Sequence, residues 1–279
     1  MDPSERVTGE FELNISGERL VIRLNLPTTS VKPHRVLPLF QQMTNSFVDV
    51  SVKAAEAKAK QISCKPGCCA CCIPPVPISE LEVYQIAELV ESMAEPRRSE
   101  IKKRFADACS HFRSIGWFDR IAACDEMGKK LPLAEVAREL QMAVNEYFFE
   151  GIPCPFLEGQ QCSIHSARPL VCREHLVTSP PENCSRINDE PVDGLDLVVS
   201  PSRTVQHIGR TNRVNGLGFI PLIRALELAE RFPENYKEKE TKYWVQEFFD
   251  RLSGRHPVKE EAISRSCKGD SRRRKSKGR

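Results

Sequence analysis

Apolar and polar residues alternate over residues 10–26 of the chain. The alternating apolar positions are Phe11, Leu13, Ile15, Leu20, Ile22 and Leu24, and Ser16-Gly17-Glu18 stands between the two runs. A period of two residues is typical of a strand with one buried face, so the segment predicts a β-hairpin that packs on helices. Pro27 and Pro33 indicate a linker over residues 27–35.

A helical period follows, from Pro38 to about Ile62. The predicted buried stripe consists of Val36, Phe40, Met43, Phe47, Val50, Ala54 and Ala57. Steps of four and three residues place these side chains on one face, as in a helix that packs against a core. A coiled coil has the same spacing and is the less favoured alternative.

Three further helices are predicted before residue 150. Ser79 and Glu82 form a capping box, which starts a helix that runs to about Met93. The next helices are expected over residues 97–114 and after Pro132. Inward-facing positions are Ile86, Leu89, Val90, Met93, Ile101, Phe105, Ala108, Phe112, Val136, Leu140, Val144 and Phe148.

The second half of the chain begins with an irregular stretch. Residues 150–190 are rich in Pro and Gly and show little periodicity. A short strand is expected over residues 195–199, followed by helices at about 219–232 and 238–252. The last helix should bury Trp244, Phe248 and Leu252. The predicted fold class is mainly α with a small N-terminal β-hairpin and an irregular cysteine-rich region (α+β).

Cysteine is the unusual component of the composition, with twelve residues in 279. Five of them lie in Cys64-Lys-Pro-Gly-Cys-Cys-Ala-Cys-Cys72. Neither helix nor strand can bury the neighbours at 68, 69, 71 and 72 on one face, because both periodicities point adjacent residues apart. Thiolates at this density suit zinc, copper(I) or iron–sulfur clusters. A disulfide knot is disfavoured because nothing in the chain looks secreted.

A second group of cysteines lies between residues 154 and 184. The metal ligands predicted from both groups are Cys64, Cys68, Cys71, Cys72, Cys154, Cys162, Cys172 and Cys184. Eight thiolates suffice for two four-coordinate sites. The other four cysteines are not expected to bind metal: Cys69, Cys109 beside a buried stripe, Cys124 in a linker after Trp117, and Cys267 near the C-terminus.

Charged and imidazole groups surround the second group. Arg168 and Arg173 flank Cys172 and are predicted to bind the cofactor, by offsetting thiolate charge and donating hydrogen bonds to sulfur. The alternative is that both arginines only bond backbone carbonyls of an irregular loop. His165 and His175 each follow a cysteine by three residues, and either could replace a thiolate.

The cysteine pattern, together with Arg168-Pro169-x2-Cys172-Arg173, resembles the YkgJ-like cysteine-cluster family over residues 64–184. That family is described as a CxxCxxCC zinc- or iron-chelating domain and includes flagellin lysine methylases. The resemblance therefore implies metal binding, and implies catalysis only through those methylases. Cys69 departs from the family, which commonly has Gly between the second and third cysteines.

The spacing Cys64-x3-Cys68-x2-Cys71 also matches the cluster-binding loop of radical S-adenosylmethionine enzymes. In those enzymes the loop follows the first strand of a βα barrel. This chain shows no βαβ pattern around its cysteines, so that assignment is set aside.

The functional expectation is a protein that binds a metal centre through clustered cysteines. An iron–sulfur cluster is favoured over zinc because short sequential spacings that close on a distant cysteine suit a cluster better than paired zinc knuckles. One alternative is an S-adenosylmethionine-dependent protein lysine methyltransferase, although this chain has no G-x-G-x-x-G motif. The other alternative is a zinc-stapled, non-catalytic interaction module.

Location and partners are expected from what the sequence contains. No run approaches the roughly 20 apolar residues of a membrane span, and the N-terminus has no signal-peptide pattern. These features suggest the bacterial cytoplasm, no membrane, and an unidentified protein partner or substrate. Nucleic acid is expected only as a weak contact of the basic C-terminal segment.

Three segments are expected: a hairpin and linker (1–35), a helical domain with the metal site (36–253), and a disordered basic tail (254–279). The net charge is +3, and residues 255–279 carry ten Lys or Arg against three acidic residues. That leaves the remainder of the chain mildly acidic. Such a charge run is typical of a solvated segment.

A chain that ends at Gly254 is expected to keep the Tm and the metal content of the full chain, because the removed segment contributes no apolar face. Thermal unfolding and metal analysis of both proteins test this. A clear drop in either quantity would show that the tail docks on the fold.

Overall fold

The computed structural model describes residues 6–15, 18–65, 67–186, 190–211 and 220–254. The fold is mainly α with a small N-terminal hairpin, as the sequence predicts. The helices are α1 (Leu37–Glu56), α2 (Glu80–Glu91), α3 (Arg97–Ser114), α4 (Trp117–Gly128), α5 (Leu133–Phe149), α6 (Leu170–Glu174), α7 (Pro201–Val205), α8 (Ala225–Arg231) and α9 (Thr241–Leu252).

Strands are short apart from the first two. They are β1 (Arg6–Ile15), β2 (Glu18–Pro27), β3 (Ser30–Val31), β4 (Pro77–Ile78), β5 (Leu157–Glu158), β6 (Gln161–Cys162), β7 (Ile220–Pro221) and β8 (Lys239–Glu240). All four pairs, β1–β2, β3–β8, β4–β7 and β5–β6, are antiparallel. The predicted tail lies outside the described residues, except for Gly254.

The N-terminal hairpin confirms the alternation in the sequence. Phe11 pairs with Ile22 in the register of β1 and β2. Phe11 and Leu13 are almost fully buried, and the Phe11 ring stacks on Phe249 of α9 at 4.8 Å. Because a two-stranded sheet is only marginally stable alone, the packing of α9 on one of its faces stabilises the hairpin.

Helix α1 ends about six residues earlier than its periodicity predicts. The Lys60 N–H bonds the Ala55 carbonyl at 3.0 Å, and the Ala59 N–H bonds the Glu56 carbonyl at 2.9 Å. Ala59 has a φ of +59°. This is a Schellman closure, which normally uses glycine at the left-handed position, and so the sequence carries no stop signal there.

The buried stripe of α1 is correct only in its first half. Val36, Phe40, Met43 and Phe47 are buried, whereas Val50 is 48% exposed and Ala54 and Ala57 also face outward. The buried positions of the second half are Val48, Ser51 and Ala55. The buried face therefore moves by about one residue as the helix passes from the hairpin to the cysteine-rich region.

Two predictions between residues 79 and 128 have opposite outcomes. The capping box of Ser79 and Glu82 is present, and α3 has the predicted bounds. The assignment of Cys124 to a linker is wrong, because Cys124 lies on α4 and is 2% exposed. Trp117 anchors this helix by donating its indole N–H to the Ala143 carbonyl of α5 at 2.7 Å.

The strand predicted for residues 195–199 is absent. Val177 and Gly194 form an isolated bridge, and the Leu195 N–H bonds the Leu176 carbonyl at 2.8 Å. The backbone of residues 196–200 has no neighbouring strand to pair with among the described residues. Leu222–Arg224 is a 3-10 turn that leads into α8, so regular α-helix begins later than predicted.

Three apolar clusters form the core. The first joins the hairpin, α1 and α9, where Phe40 stacks on Phe248 with centroids 4.4 Å apart, and it includes Leu170 of α6. The second joins α2, α3 and α8 and includes Phe156 and Ile164. The third joins α3, α4 and α5. The cysteine-bearing segments are thus anchored by apolar residues on two sides. Among the described residues, no helix combines the length and apolarity needed to cross a bilayer.

Replacing Phe40 by Ala is expected to cost about 3–5 kcal/mol in the free energy of unfolding, because it removes a fully buried ring and leaves a cavity. The matched variant Val50→Ala on the same helix should change that free energy by less than about 0.5 kcal/mol. Urea unfolding of both variants measures the difference. Equal losses would contradict the observed orientation of α1.

Candidate metal centre

The first cysteine loop is held by local turns. The Cys68 N–H bonds the Lys65 carbonyl at 3.0 Å, and the Cys72 N–H bonds the Cys69 carbonyl at 2.8 Å within the 3-10 turn Ala70–Cys72. Gly67 has a φ of +86°, a conformation that side chains rarely adopt. The loop therefore reverses direction between its first and later thiols, which lets them face a common region.

Backbone hydrogen bonds join this loop to the distant cysteine segments. The Cys154 N–H bonds the Cys72 carbonyl at 2.7 Å, and the Ser63 N–H bonds the Val177 carbonyl at 2.9 Å. The Val177 N–H in turn donates to the Cys64 sulfur at 3.4 Å. The turn Ala70–Cys72 also packs against the 3-10 turn Pro181–Ser185, which carries Cys184.

Cys154 and Cys162 are held together by a small hairpin. Strands β5 and β6 pair Leu157 with Cys162, and the Ser163 N–H bonds the Phe156 carbonyl at 2.9 Å. Phe156 is 1% exposed. This buried ring anchors the hairpin, so both thiols sit on a fixed support.

Cys172 lies on α6, which two buried glutamates hold. Glu82 accepts a hydrogen bond from the Leu170 N–H at 2.8 Å, while it also caps α2. Glu174 accepts from the Ser202 N–H at 2.6 Å. Burial raises the pKa of both carboxyls, and these hydrogen bonds oppose that rise. A five-residue helix could not persist without such external bonds.

The thiols gather around Cys71. Burial raises the pKa of five of them, and negative charge on Cys71 raises each pKa further. The five are Cys64, Cys154, Cys162, Cys172 and Cys184. Cys68 belongs to the same group, because its charge acts on Cys64 and Cys184. The fold thus brings all eight predicted ligands within electrostatic range of one region.

A side-chain hydrogen bond joins the thiols of Cys71 and Cys72. The Cys72 thiol lowers the pKa of Cys71 to about 6, and the nearby Arg168 guanidinium contributes to that decrease. The pKa of Cys72 is raised, because it retains the proton and is partly buried. Cys71 is therefore the thiol of this pair that ionises first.

The described thiols lie in one region, but they are not close enough together to coordinate a single metal ion. Among the described side chains, no group of three or more His, Cys, Asp or Glu is arranged to hold an ion. The eleven described cysteines are free thiols. The donor set is nonetheless almost purely thiol, which fits zinc or an iron–sulfur cluster, so ligation by the eight cysteines stays a prediction.

The two arginines have different surroundings. Arg173 is buried, and it donates to the carbonyls of Ser166 at 2.5 Å and Arg168 at 3.1 Å and to Asn45 Oδ1 at 3.1 Å. These bonds match the backbone-bonding alternative. The charge of Arg168 opposes the rise that burial causes in the pKa of Cys64 and Cys162, and it contributes to the lowered pKa of Cys71. The buried Nε of Arg168 has no hydrogen-bond partner in the part of the chain that is described. An acceptor on a bound centre would satisfy that donor.

Other candidates lie around or away from this region. His165 is exposed, and Arg168 lowers its pKa; His175 is also exposed. Cys109 donates its thiol hydrogen to the Ile223 carbonyl at 3.0 Å. Cys69 precedes the turn in the first loop, and Cys267 lies outside the described residues.

Sequence reasoning missed the residues that position the site. The sequence predicts Glu82 only as a helix cap, and no pattern in it singles out Glu174 or Gln41. Gln41 donates to the carbonyls of Ala167 and Arg168 at 3.4 and 3.3 Å. The only signal for Glu82 was its capping box, because the second acceptor role depends on a residue far along the chain.

Arg173→Met is expected to lower the free energy of unfolding of the metal-free protein by about 1.5–3 kcal/mol, because it removes a buried charged donor that bonds three part-buried acceptors. Arg168→Met should cost less than about 1 kcal/mol, since the Arg168 Nε has no partner to lose. Urea unfolding of the two variants measures this contrast. A larger loss from Arg168→Met would contradict the division of roles.

Comparison with known proteins agrees with this chemistry. Residues 63–190 match the model of the CxxCxxCC family, described as "Putative zinc- or iron-chelating domain". Neither the curated proteins nor the solved structures contain a match to the chain. The matched range includes all eight gathered cysteines and the whole of α6. Over residues 63–190, a little under half of its length, the chain is accordingly similar to the zinc- or iron-chelating domain of the CxxCxxCC family.

Proposed function

We propose that the protein binds an iron–sulfur cluster through the cysteines around Cys71 and uses it in a redox or cluster-dependent reaction. The observation that carries the proposal is the convergence of thiols from segments far apart in sequence, locked by the bond from the Cys154 N–H to the Cys72 carbonyl. The family match supports metal chelation in general.

The energetics of the thiols favour a bound cation. Burial raises the pKa of Cys154 to about 12 and that of Cys172 well above its ordinary value, so thiolates there are costly without a positive partner. A metal reverses this preference and deprotonates the thiols that bind it. The cysteine-bearing segments are also largely irregular, and metal ligation would contribute to their folding free energy.

Arg168 favours a cluster over a structural zinc ion. Its charge already acts on Cys64, Cys71 and Cys162, and its buried Nε needs an acceptor. Hydrogen bonds to cluster sulfur are one means by which a protein sets a cluster's reduction potential. The number of thiols does not separate the two, because a closed zinc site and an iron–sulfur cluster each use four thiolates. When bound, the cluster supplies one-electron chemistry, and the chain's own residues position it and offset its charge.

The metal identity is tested on protein expressed with ample iron and purified without oxygen. We expect a brown preparation that contains iron and acid-labile sulfide in near-equal amounts and bleaches with dithionite. Colourless protein that carries zinc under these conditions would contradict the cluster and favour a zinc-stapled module.

Cysteine variants test the ligand assignment separately. Cys72→Ala and Cys172→Ala should each lower both the metal content and the Tm, because each removes one donor and leaves the metal under-coordinated. Cys267→Ala is the matched control and should change neither. Metal analysis and thermal unfolding provide the measurement, and equal metal loss from Cys267→Ala would refute the assignment.

A further inference from the structure

An open cleft of about 500 Å³ lies beside the candidate metal centre. It is lined by Asn45, Val48, Asp49, His165, Ser166, Arg168, Arg173 and Leu176. None of these residues is a cysteine, so the cleft is distinct from the thiol cluster. Arg168 belongs to both, since it lines the cleft and its charge acts on Cys71 and Cys162. The guanidinium therefore forms the boundary between the two.

The electrostatics of the cleft favour an anion. Among the described residues, neither Arg168 nor Arg173 forms an ion pair with a carboxylate within 4.0 Å, and the other arginines of the fold frequently do. The positive charge of Arg168, with a smaller contribution from Arg173, also lowers the pKa of His165. Asp49, exposed on α1, is the one acidic residue in the lining.

The walls of the cleft are held before any ligand arrives. Asn45, Val48 and Asp49 are three and four residues apart and so share one face of α1. Arg173 ties this helix to the opposite wall through its bonds to Asn45 Oδ1 and the Ser166 carbonyl. A site with fixed donors loses less entropy when it binds a ligand than one that must order itself.

We propose that this cleft binds a small ligand that carries an oxyanion, either a carboxylate or a phosphate group, on the side of Arg168 that faces away from the thiols. Arg168 and His165 supply hydrogen-bond donors, and Val48 and Leu176 offer apolar contact for the rest of the ligand. Such a ligand would lie next to the metal centre. The inference goes beyond the proposed function, because anion binding does not depend on which metal is bound.

Two probes separate the possible sources of the oxyanion. The full chain, as isolated, is titrated calorimetrically with inorganic phosphate and with malonate at low ionic strength. Saturable binding of phosphate alone, of malonate alone or of both supports the site and identifies the preferred group. Absence of saturable binding of both probes up to about 50 mM would overturn it.

Asp49→Asn tests the site by an increase in anion affinity, which misfolding of the variant would not produce. Removing the one carboxylate in the lining should tighten binding of the better probe about twofold to fivefold at low salt, and the gain should shrink as salt is added. Glu230→Gln removes an exposed carboxylate on α8, outside the lining, and is the matched control with unchanged affinity. Unchanged or weaker binding by Asp49→Asn would overturn the assignment.

Arg168→Gln should weaken binding of the same probe about tenfold or more, since it removes the charged donor. Circular dichroism and metal analysis of each sample separate this loss from misfolding. Unchanged anion affinity in folded Arg168→Gln would overturn the inference. Wild-type protein that binds the anion but holds no iron–sulfur cluster would refute only the proposed function, whereas cluster-loaded protein without anion binding would refute only the cleft.

Discussion

The buried carboxylate of Glu82 is the interaction on which the cysteine-rich region depends. One oxygen accepts the Ser79 N–H and hydroxyl, and the other accepts the Leu170 N–H. A single side chain therefore starts α2 and also fixes the start of the short helix that carries Cys172. Because the carboxyl is almost fully buried, loss of these donors would leave an uncompensated polar group in the core.

The candidate metal centre is positioned by ordinary fold interactions rather than by its own thiols. Phe156 and Leu170 anchor two of the cysteine-bearing segments in apolar clusters. Arg173 donates its hydrogen bonds to the carbonyls of Ser166 and Arg168 and to Asn45 Oδ1 rather than to a thiol. The thiols themselves repel further ionisation, since charge on Cys71 raises the pKa of its neighbours. Ionising these gathered thiols therefore costs free energy when no cation is present to balance their charge. A metal bound by such thiolates would contribute most to the folding free energy.

Features of this structure that depend on residues near one another in sequence are the ones that the sequence predicts. The alternation around Phe11, the Ser79 cap and the bounds of α3 depend on nearby residues, and all three were predictable. Helix α4 is not predicted although Trp117, Ile121 and Cys124 have helical spacing, because the run is short and is bounded by Gly116 and Gly128.

The remaining errors required knowledge of tertiary contacts. Val50 continues an apolar stripe in sequence, but the surface that α1 packs against changes direction along the helix. The apolar residues at 195–199 favour a strand, and pairing ends at Gly194. Within the site, the eight cysteines were singled out from their density alone, whereas the roles of Glu82 and Gln41 depend on partners far away in sequence.

The bond from the Cys154 N–H to the Cys72 carbonyl has a consequence for the order of assembly. Helices α2 to α5 lie between these residues in sequence, so the bond closes a long loop that contains that whole helical segment. A metal held by both sides would then act as a cross-link across a long loop and reduce the entropy of the unfolded chain. During synthesis, the first loop would emerge well before its partners, and the centre could be completed only after the residues of α2 to α5 have been synthesised.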